Sequence, residues 1–169
     1  MLDFGRLQAH NAFEVMNTME TKDVLLALRT QRGLSQDELA EKLYVTRQAV
    51  SRWERGETVP GTELLKLLSK LFDVSINTLL GSPRKLTCQC CGMPLEDGVI
   101  SRETDGAFNE EYCKWCYADG RFTYTSLEEL VNFLVGHMSN RGWPQEEARA
   151  YFEVQLPTLR HWKKPEGML

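Results

Sequence analysis

Residues 33–56 read Gly33-Leu34-Ser35-Gln36-Asp37-Glu38-Leu39-Ala40-Glu41-Lys42-Leu43-Tyr44-Val45-Thr46-Arg47-Gln48-Ala49-Val50-Ser51-Arg52-Trp53-Glu54-Arg55-Gly56. Two short helices are written there back to back. Leu39, Ala40 and Leu43 make one apolar face at helical spacing, and Val50 and Trp53 make the next. Ser35, with Glu38 three positions on, is a capping box, in which hydroxyl and carboxylate each satisfy a free amide at the helix start. Thr46 caps the second helix and Gly56 ends it. Only Tyr44 and Val45 separate the two, and so tight a join holds short helices at a large angle, one bracing while the other projects.

Working outward, Leu25 and Leu28 mark a preceding helix that Gly33 stops. Pro60-Gly61-Thr62 resets the chain for a helix carrying Leu64, Leu67, Leu68 and Phe72, and a fifth short helix is expected from about Ser75 to Gly81. The expectation is a five-helix domain over residues 21–81.

On the projecting helix Val50 and Trp53 point inward, which leaves Arg47, Gln48, Ser51 and Arg52 on the opposite side with no acidic residue before Glu54. Arginine can donate two hydrogen bonds to guanine O6 and N7, and glutamine can bridge adenine N6 and N7. A face without carboxylates suits a groove flanked by phosphates. A bundle serving only protein contact has no need of Arg47, Gln48 and Arg52 together on its outer face, so DNA is the preferred partner.

The stretches Gly33–Ala40 and Val45–Gly56 resemble the XRE family of phage Cro/repressor-type helix-turn-helix domains, over about residues 20–80. The resemblance implies a lambda-repressor-like five-helix domain that binds double-stranded DNA. It implies phosphate contacts from Gln36, Arg55 and Arg29, with Arg47, Gln48, Ser51 and Arg52 as base readers. One departure stands out. The family's turn often holds Gly or Asn where this chain has Tyr44, and a positive φ is uncomfortable for tyrosine. The turn is expected either to differ slightly or to strain Tyr44 while its ring covers the domain edge.

All five cysteines lie between positions 88 and 116. Cys88 and Cys91 form one Cys-x-x-Cys pair, Cys113 and Cys116 another, with 21 residues between the pairs. Two intervening residues let both sulfurs of a pair reach one ion, and four thiolates satisfy tetrahedral Zn²⁺. Gly92 fits the tight knuckle after Cys91. Cys90 breaks the spacing and reads as a spare thiol beside the site. Asp97-Gly98 and Asp105-Gly106 are turn signals between short strands. Tyr112, Trp115, Tyr117, Phe122 and Tyr124 crowd the second pair; a ribbon of about 40 residues has little core, so aromatics and metal together must hold it. The runs Cys90–Leu95 and Glu111–Phe122, with Leu156–Trp162, resemble a bacterial zinc-ribbon family, which implies zinc binding and little else.

Beyond the ribbon, Ser126 and Glu129 make another capping box. Leu127, Leu130, Val131, Leu134 and Met138 then line one helical face. Trp143-Pro144 opens a further helix with Glu146 and Glu147 in its first turn, running to about Leu156 before Pro157. These helices pack on the ribbon or on a second subunit. His137 and His161 are not needed as ligands, because four cysteines complete a zinc shell. The fold class read here is mostly α with a small β zinc ribbon, divided into an extension (1–20), the helical domain (21–81), a linker (82–87) around Gly81-Ser82-Pro83, the ribbon (88–125) and a helical segment (126–169). Met16 or Met19 is read as the working start.

With 42% hydrophobic and 26% charged residues, the 169-residue chain has ordinary globular usage, not that of a disordered one. The net charge of −4 argues against a protein coated with nucleic acid, yet it is unevenly spread. Residues 21–81 hold nine Lys/Arg against eight Asp/Glu, and residues 82–169 hold ten against thirteen. The apolar run Val24–Leu28 is far below the roughly 20 residues that span a bilayer, and no secretory signal is evident, so a cytoplasmic protein is expected.

These readings converge on a transcription regulator acting as a symmetric homodimer on two half-sites. The ribbon and tail would be structural, dimerising or sensitive to an effector. Catalysis is not expected, since no Ser/His/Asp or carboxylate constellation appears and a four-cysteine site keeps no open metal position. Two alternatives remain: a sensor in which zinc loss or Cys90 oxidation changes DNA affinity, and an antitoxin-like adaptor whose ribbon holds another protein.

Overall fold

Val24, Leu39, Val50, Leu68 and Leu79 are withdrawn from solvent in the computed structural model, each contributed by a different helix. The structure describes residues 19–81 and 84–163. The expectations placed on residues 1–18, on Ser82-Pro83 and on residues 164–169 lie outside the described residues. The chain divides between residues 84 and 85 into two units.

The first unit contains α1 (Thr21–Gln31), α2 (Gln36–Leu43), α3 (Arg47–Glu54), α4 (Thr62–Phe72) and α5 (Ile76–Leu79). Their starts follow local chemistry. Ser35 Oγ accepts from the Glu38 amide at 3.1 Å while Glu38 Oε2 accepts from the Ser35 amide at 2.7 Å. Thr46 Oγ1 and Ser75 Oγ cap α3 and α5 in the same way. Gly33 and Gly56, at φ +66° and +74°, close α1 and α3. Burying an aliphatic side chain is worth about 1.5–3 kcal/mol. The shared core of Val24, Leu25, Leu39, Val50, Trp53, Leu68 and Phe72 therefore fixes the angle at which α3 leaves α2. Met19 packs against this core as well.

Tyr44 ends α2 in the left-handed region, at φ 54° and ψ 41°. The strained alternative is the one realised, with one correction: the ring is 94% exposed and covers no domain edge.

Of the stretch read as a linker, Arg84 is tied to α5, its amide donating to Asn77 Oδ1 at 2.9 Å. Leu86 and Thr87 already pair with the ribbon, through Leu95 and Pro94.

The second unit contains β1 (Ile100–Arg102), β2 (Phe108–Cys113), β3 (Tyr117–Ala118), β4 (Arg121–Phe122), α6 (Leu127–Ser139) and α7 (Gln145–Gln155), then a 3-10 turn at Leu156–Thr158. β1 and β2 pair antiparallel, Ser101 opposite Asn109 and Arg102 opposite Phe108, with an irregularity between Ile100 and Ser101. β3 and β4 form a second antiparallel ribbon. Asp105-Gly106 lies in the turn between β1 and β2, where Gly106 takes φ +82°. The α6–α7 pair supplies the core that a ribbon alone lacks. Leu130, Val131, Val135, Ala148, Phe152 and Leu156 are buried in one cluster with Cys88, Cys90, Cys113 and Cys116. The two helices thus pack on the ribbon of their own chain.

Candidate nucleic-acid interface and metal centre

Arg47, Gln48, Ser51, Arg52 and Arg55 line one shallow concavity of about 430 Å³ on the outer side of α3. Helical spacing puts them there: Val50 and Trp53 are drawn into the core, and the remaining positions face outward. The side chains of Arg52 and Gln48 make no hydrogen bond among the described residues. Arg47 Nε lies 3.5 Å from Asp37, with both side chains well exposed, a geometry that water competes with easily. Arg55 is held between Ser51 Oγ and Glu57, its Nε 2.6 Å from Glu57 Oε1. Glu57 raises the proton affinity of Arg55, and Arg55 in turn lowers that of Glu57, chiefly through this hydrogen bond.

Five of the seven residues expected to contact DNA are therefore brought together. Arg29 and Gln36 are placed elsewhere, around Glu54. Arg29 Nε and Nη2 donate to Glu54 Oε1 and Oε2 at 2.5 and 2.9 Å, and Arg29 Nη1 donates to the Leu34 carbonyl at 2.7 Å. Gln36 Nε2 donates to Glu54 Oε2 at 2.8 Å. Burial opposes a charge on Glu54, but the Arg29 guanidinium and the Gln36 amide outweigh it and hold the carboxyl below its ordinary range. The only carboxylate of α3 is thereby turned inward and neutralised, and the outer face of the helix stays cationic. The sequence reading missed this role. Its signal was an arginine next to the core residue Leu28 at the end of α1, within chain reach of an acid at the end of α3.

In the second unit the Sγ atoms of Cys88, Cys91, Cys113 and Cys116 all lie within 4.8 Å of one another. A tetrahedron of thiolates at about 2.3 Å from zinc has edges of about 3.8 Å, and Cys91 Sγ sits 3.8 Å from Cys113 Sγ. The residues present fit the ion. The first knuckle is closed by the Gly92 amide on the Cys88 carbonyl and the Cys88 amide on the Met93 carbonyl. Gly92 takes φ +79° there, a conformation that glycine adopts without strain. The Cys113 amide also points at Cys88 Sγ from 3.3 Å. Among themselves the four sulfurs compete for protons. Cys113 foremost lowers Cys88 well below the thiol range and pushes Cys91 and Cys116 well above it. A divalent cation removes that conflict by taking all four as thiolates.

Cys90 is fully buried and outside this set. Its carbonyl accepts from Trp162 Nε1 at 2.7 Å, and the His161 amide donates to the Gln89 carbonyl at 3.1 Å. The segment after α7 thus straps the first knuckle, a role that the sequence did not disclose. His161 packs on Phe122, 4.1 Å between ring centroids, and Phe122 packs edge-on against Tyr112. Trp115 stays out of that cluster and is 52% exposed.

Among the described residues no helix is long and apolar enough to cross a membrane. Residues 25–79 match the family model described as "Helix-turn-helix", and residues 87–163 match the one described as "Putative zinc ribbon domain". The chain is 46% identical over 69 residues to the HTH-type transcriptional activator BcrR of Enterococcus faecalis. That alignment covers 41% of this chain and 34% of the relative, so the match spans about a third of the relative's length. Both resemblances drawn from the sequence stand: an XRE-type helix-turn-helix domain is joined here to a zinc ribbon.

Proposed function

From a helix-turn-helix domain joined to a zinc ribbon, we propose a sequence-specific regulator of transcription that binds double-stranded DNA and performs no catalysis of its own. The observation that carries this reading is the α3 face, where five polar residues share one concavity while Glu54 is held inward. Arg47, Gln48, Ser51 and Arg52 read base edges in the major groove, and Arg55 grips phosphate at its rim. Gln36 and Arg29 act through Glu54, fixing how α3 projects. Of the two, Gln36 at the start of α2 remains partly exposed and near enough to the solvent to reach a phosphate as well. An eight-residue helix addresses only a few base pairs, so the protein binds as a symmetric homodimer on half-sites about one helical turn apart. The relative's description as an activator supports a role in transcription.

Cys88, Cys91, Cys113 and Cys116 hold one Zn²⁺, which offsets half of the charge of four clustered thiolates and joins β1–β2 to the knuckle after Thr87. The test is selection from a random double-stranded library by the zinc-loaded full chain beside Arg47→Ala. A palindromic motif that blurs in the variant is expected. Absence of enrichment with folded, zinc-bearing protein overturns the reading.

A further inference from the structure

We propose that the second unit carries a binding site for a small organic anion with a large apolar body, in the open groove between the ribbon and the α6–α7 pair. The groove has a volume of about 1070 Å³, at the upper end of the size common for small-molecule sites. The ribbon contributes Met93 and Trp115, α6 contributes Phe133 and Leu134, and α7 contributes Tyr151 and Phe152. Trp115, Phe133 and Tyr151 are 52%, 54% and 50% exposed. Three large aromatics left half in water around one concavity are an unfavourable arrangement unless something covers them.

The charge pattern names the occupant. Residues 82–169 hold thirteen Asp/Glu, yet among the described residues no acidic side chain lines the groove. Among the described residues its basic side chains are Arg141 and His137. Arg141 is exposed and its side chain makes no hydrogen bond or ion pair among the described residues, so its guanidinium is available as a fork for a carboxylate or sulfonate. His137 stacks on Phe133 with 13° between the ring planes, extending the aromatic wall toward that head group. Cys91, Cys113 and Cys116 also line the groove, and a four-thiolate zinc site keeps a net negative charge, which leaves Arg141 as the anion's contact. The concave shape and the unpaired Arg141 guanidinium, the one such cation at the groove among the described residues, favour a small amphipathic acid over a protein surface. The site lies within one unit and stands independently of DNA binding.

The test titrates zinc-loaded full-length protein with 1-anilinonaphthalene-8-sulfonate and, in parallel, with N-phenyl-1-naphthylamine, which keeps the aromatic body but lacks the sulfonate. Saturable binding of one sulfonate probe per chain is expected. Arg141→Gln should weaken it roughly tenfold, the scale of a charge-assisted contact, and the neutral probe by less than about twofold. Phe133→Ala should weaken both. Zinc content and circular dichroism verify that each variant is folded. Binding that is absent, that ignores Phe133→Ala, or that ignores Arg141→Gln overturns the proposal. So does a wild-type dimer that excludes both probes and dissociates on Phe133→Ala, because a second copy then covers the groove.

Discussion

Arg29 and Glu54, 25 residues apart in sequence, form a two-point ion pair beneath the outer face of α3, with side chains only 14% and 6% exposed. The pair ties the end of α1 to the end of α3, and through Gln36 it reaches the start of α2. Three helices of the DNA-reading geometry are thereby fixed at one carboxylate. Removing one member strands the other's charge away from water. Glu54→Ala should therefore destabilise the first unit by about 3 kcal/mol. Hydrogen exchange at the Val24, Val50 and Leu68 amides reads that unit separately from the ribbon. Unchanged protection would show that the pair is merely tolerated.

The same carboxylate predicts a pH dependence. Its folded-state pKa lies below the ordinary value of 4.5. Between the two values the unfolded chain binds a proton that the folded chain does not, so stability rises with pH across that window. The contribution is complete above about pH 5 and is lost as pH falls through the folded value. Urea midpoints of the first unit between pH 3 and 6 should drop more steeply in the wild type than in Glu54→Gln. Parallel curves would remove Glu54 from the acid response.

Tyr44 stores strain without compensation by packing. Its φ is 54° and its side chain is 94% exposed. A non-glycine residue in the left-handed region costs about 1–2 kcal/mol. Tyr44→Gly should raise the stability of the first unit by about 1 kcal/mol, with the gain reduced by the greater freedom of glycine in the unfolded chain. A drop in stability would mean that the tyrosine side chain contributes something that its exposure conceals.

What was legible in the sequence was what is local. Ser35, Thr46, Ser75 and Ser126 each cap a helix through an amide three residues on, so their roles can be read within four positions of chain. The cysteine pairs were legible because metal geometry fixes their spacing. The partner of a side chain across space was not. Arg29 was read from the resemblance for a phosphate contact, and its meeting with Glu54 is a tertiary approach that no local period encodes. The apolar stripe on α6 was evident, but nothing in it told the ribbon from a second subunit as its cover. Nor did Trp162 announce that its indole closes on a carbonyl 72 residues earlier.

Zinc removal should separate the two units. Cys88→Ser, Cys91→Ser, Cys113→Ser or Cys116→Ser should each abolish stoichiometric zinc and loosen the shared core around Leu130 and Phe152, while exchange protection at Val50 stays as in the wild type. Cys90→Ala should keep one zinc per chain and cost only about 1 kcal/mol, for the small void it leaves. Zinc released to a colorimetric chelator after thiol modification gives the count. A Cys90 variant without zinc would mean that the four ligands are wrongly assigned.

The cationic face of α3 makes the sharpest distinction between kinds of contact. Arg47→Ala and Arg52→Ala should each cost about 1–3 kcal/mol of specific binding and relax preference at one base position of each half-site. Arg55→Ala should weaken binding to all sequences alike and reduce the slope of log affinity against log salt by about 1 per site contacted. Arg29→Met should behave differently from all three, since its side chain is engaged inside the domain: binding should fall only in proportion to the loss of folded protein. Measuring affinity for the selected site and for a scrambled site at several salt concentrations sorts the four. If Arg47→Ala and Arg52→Ala lower both affinities equally, the residues on this face grip the backbone without reading it, and sequence preference must arise elsewhere in the first unit.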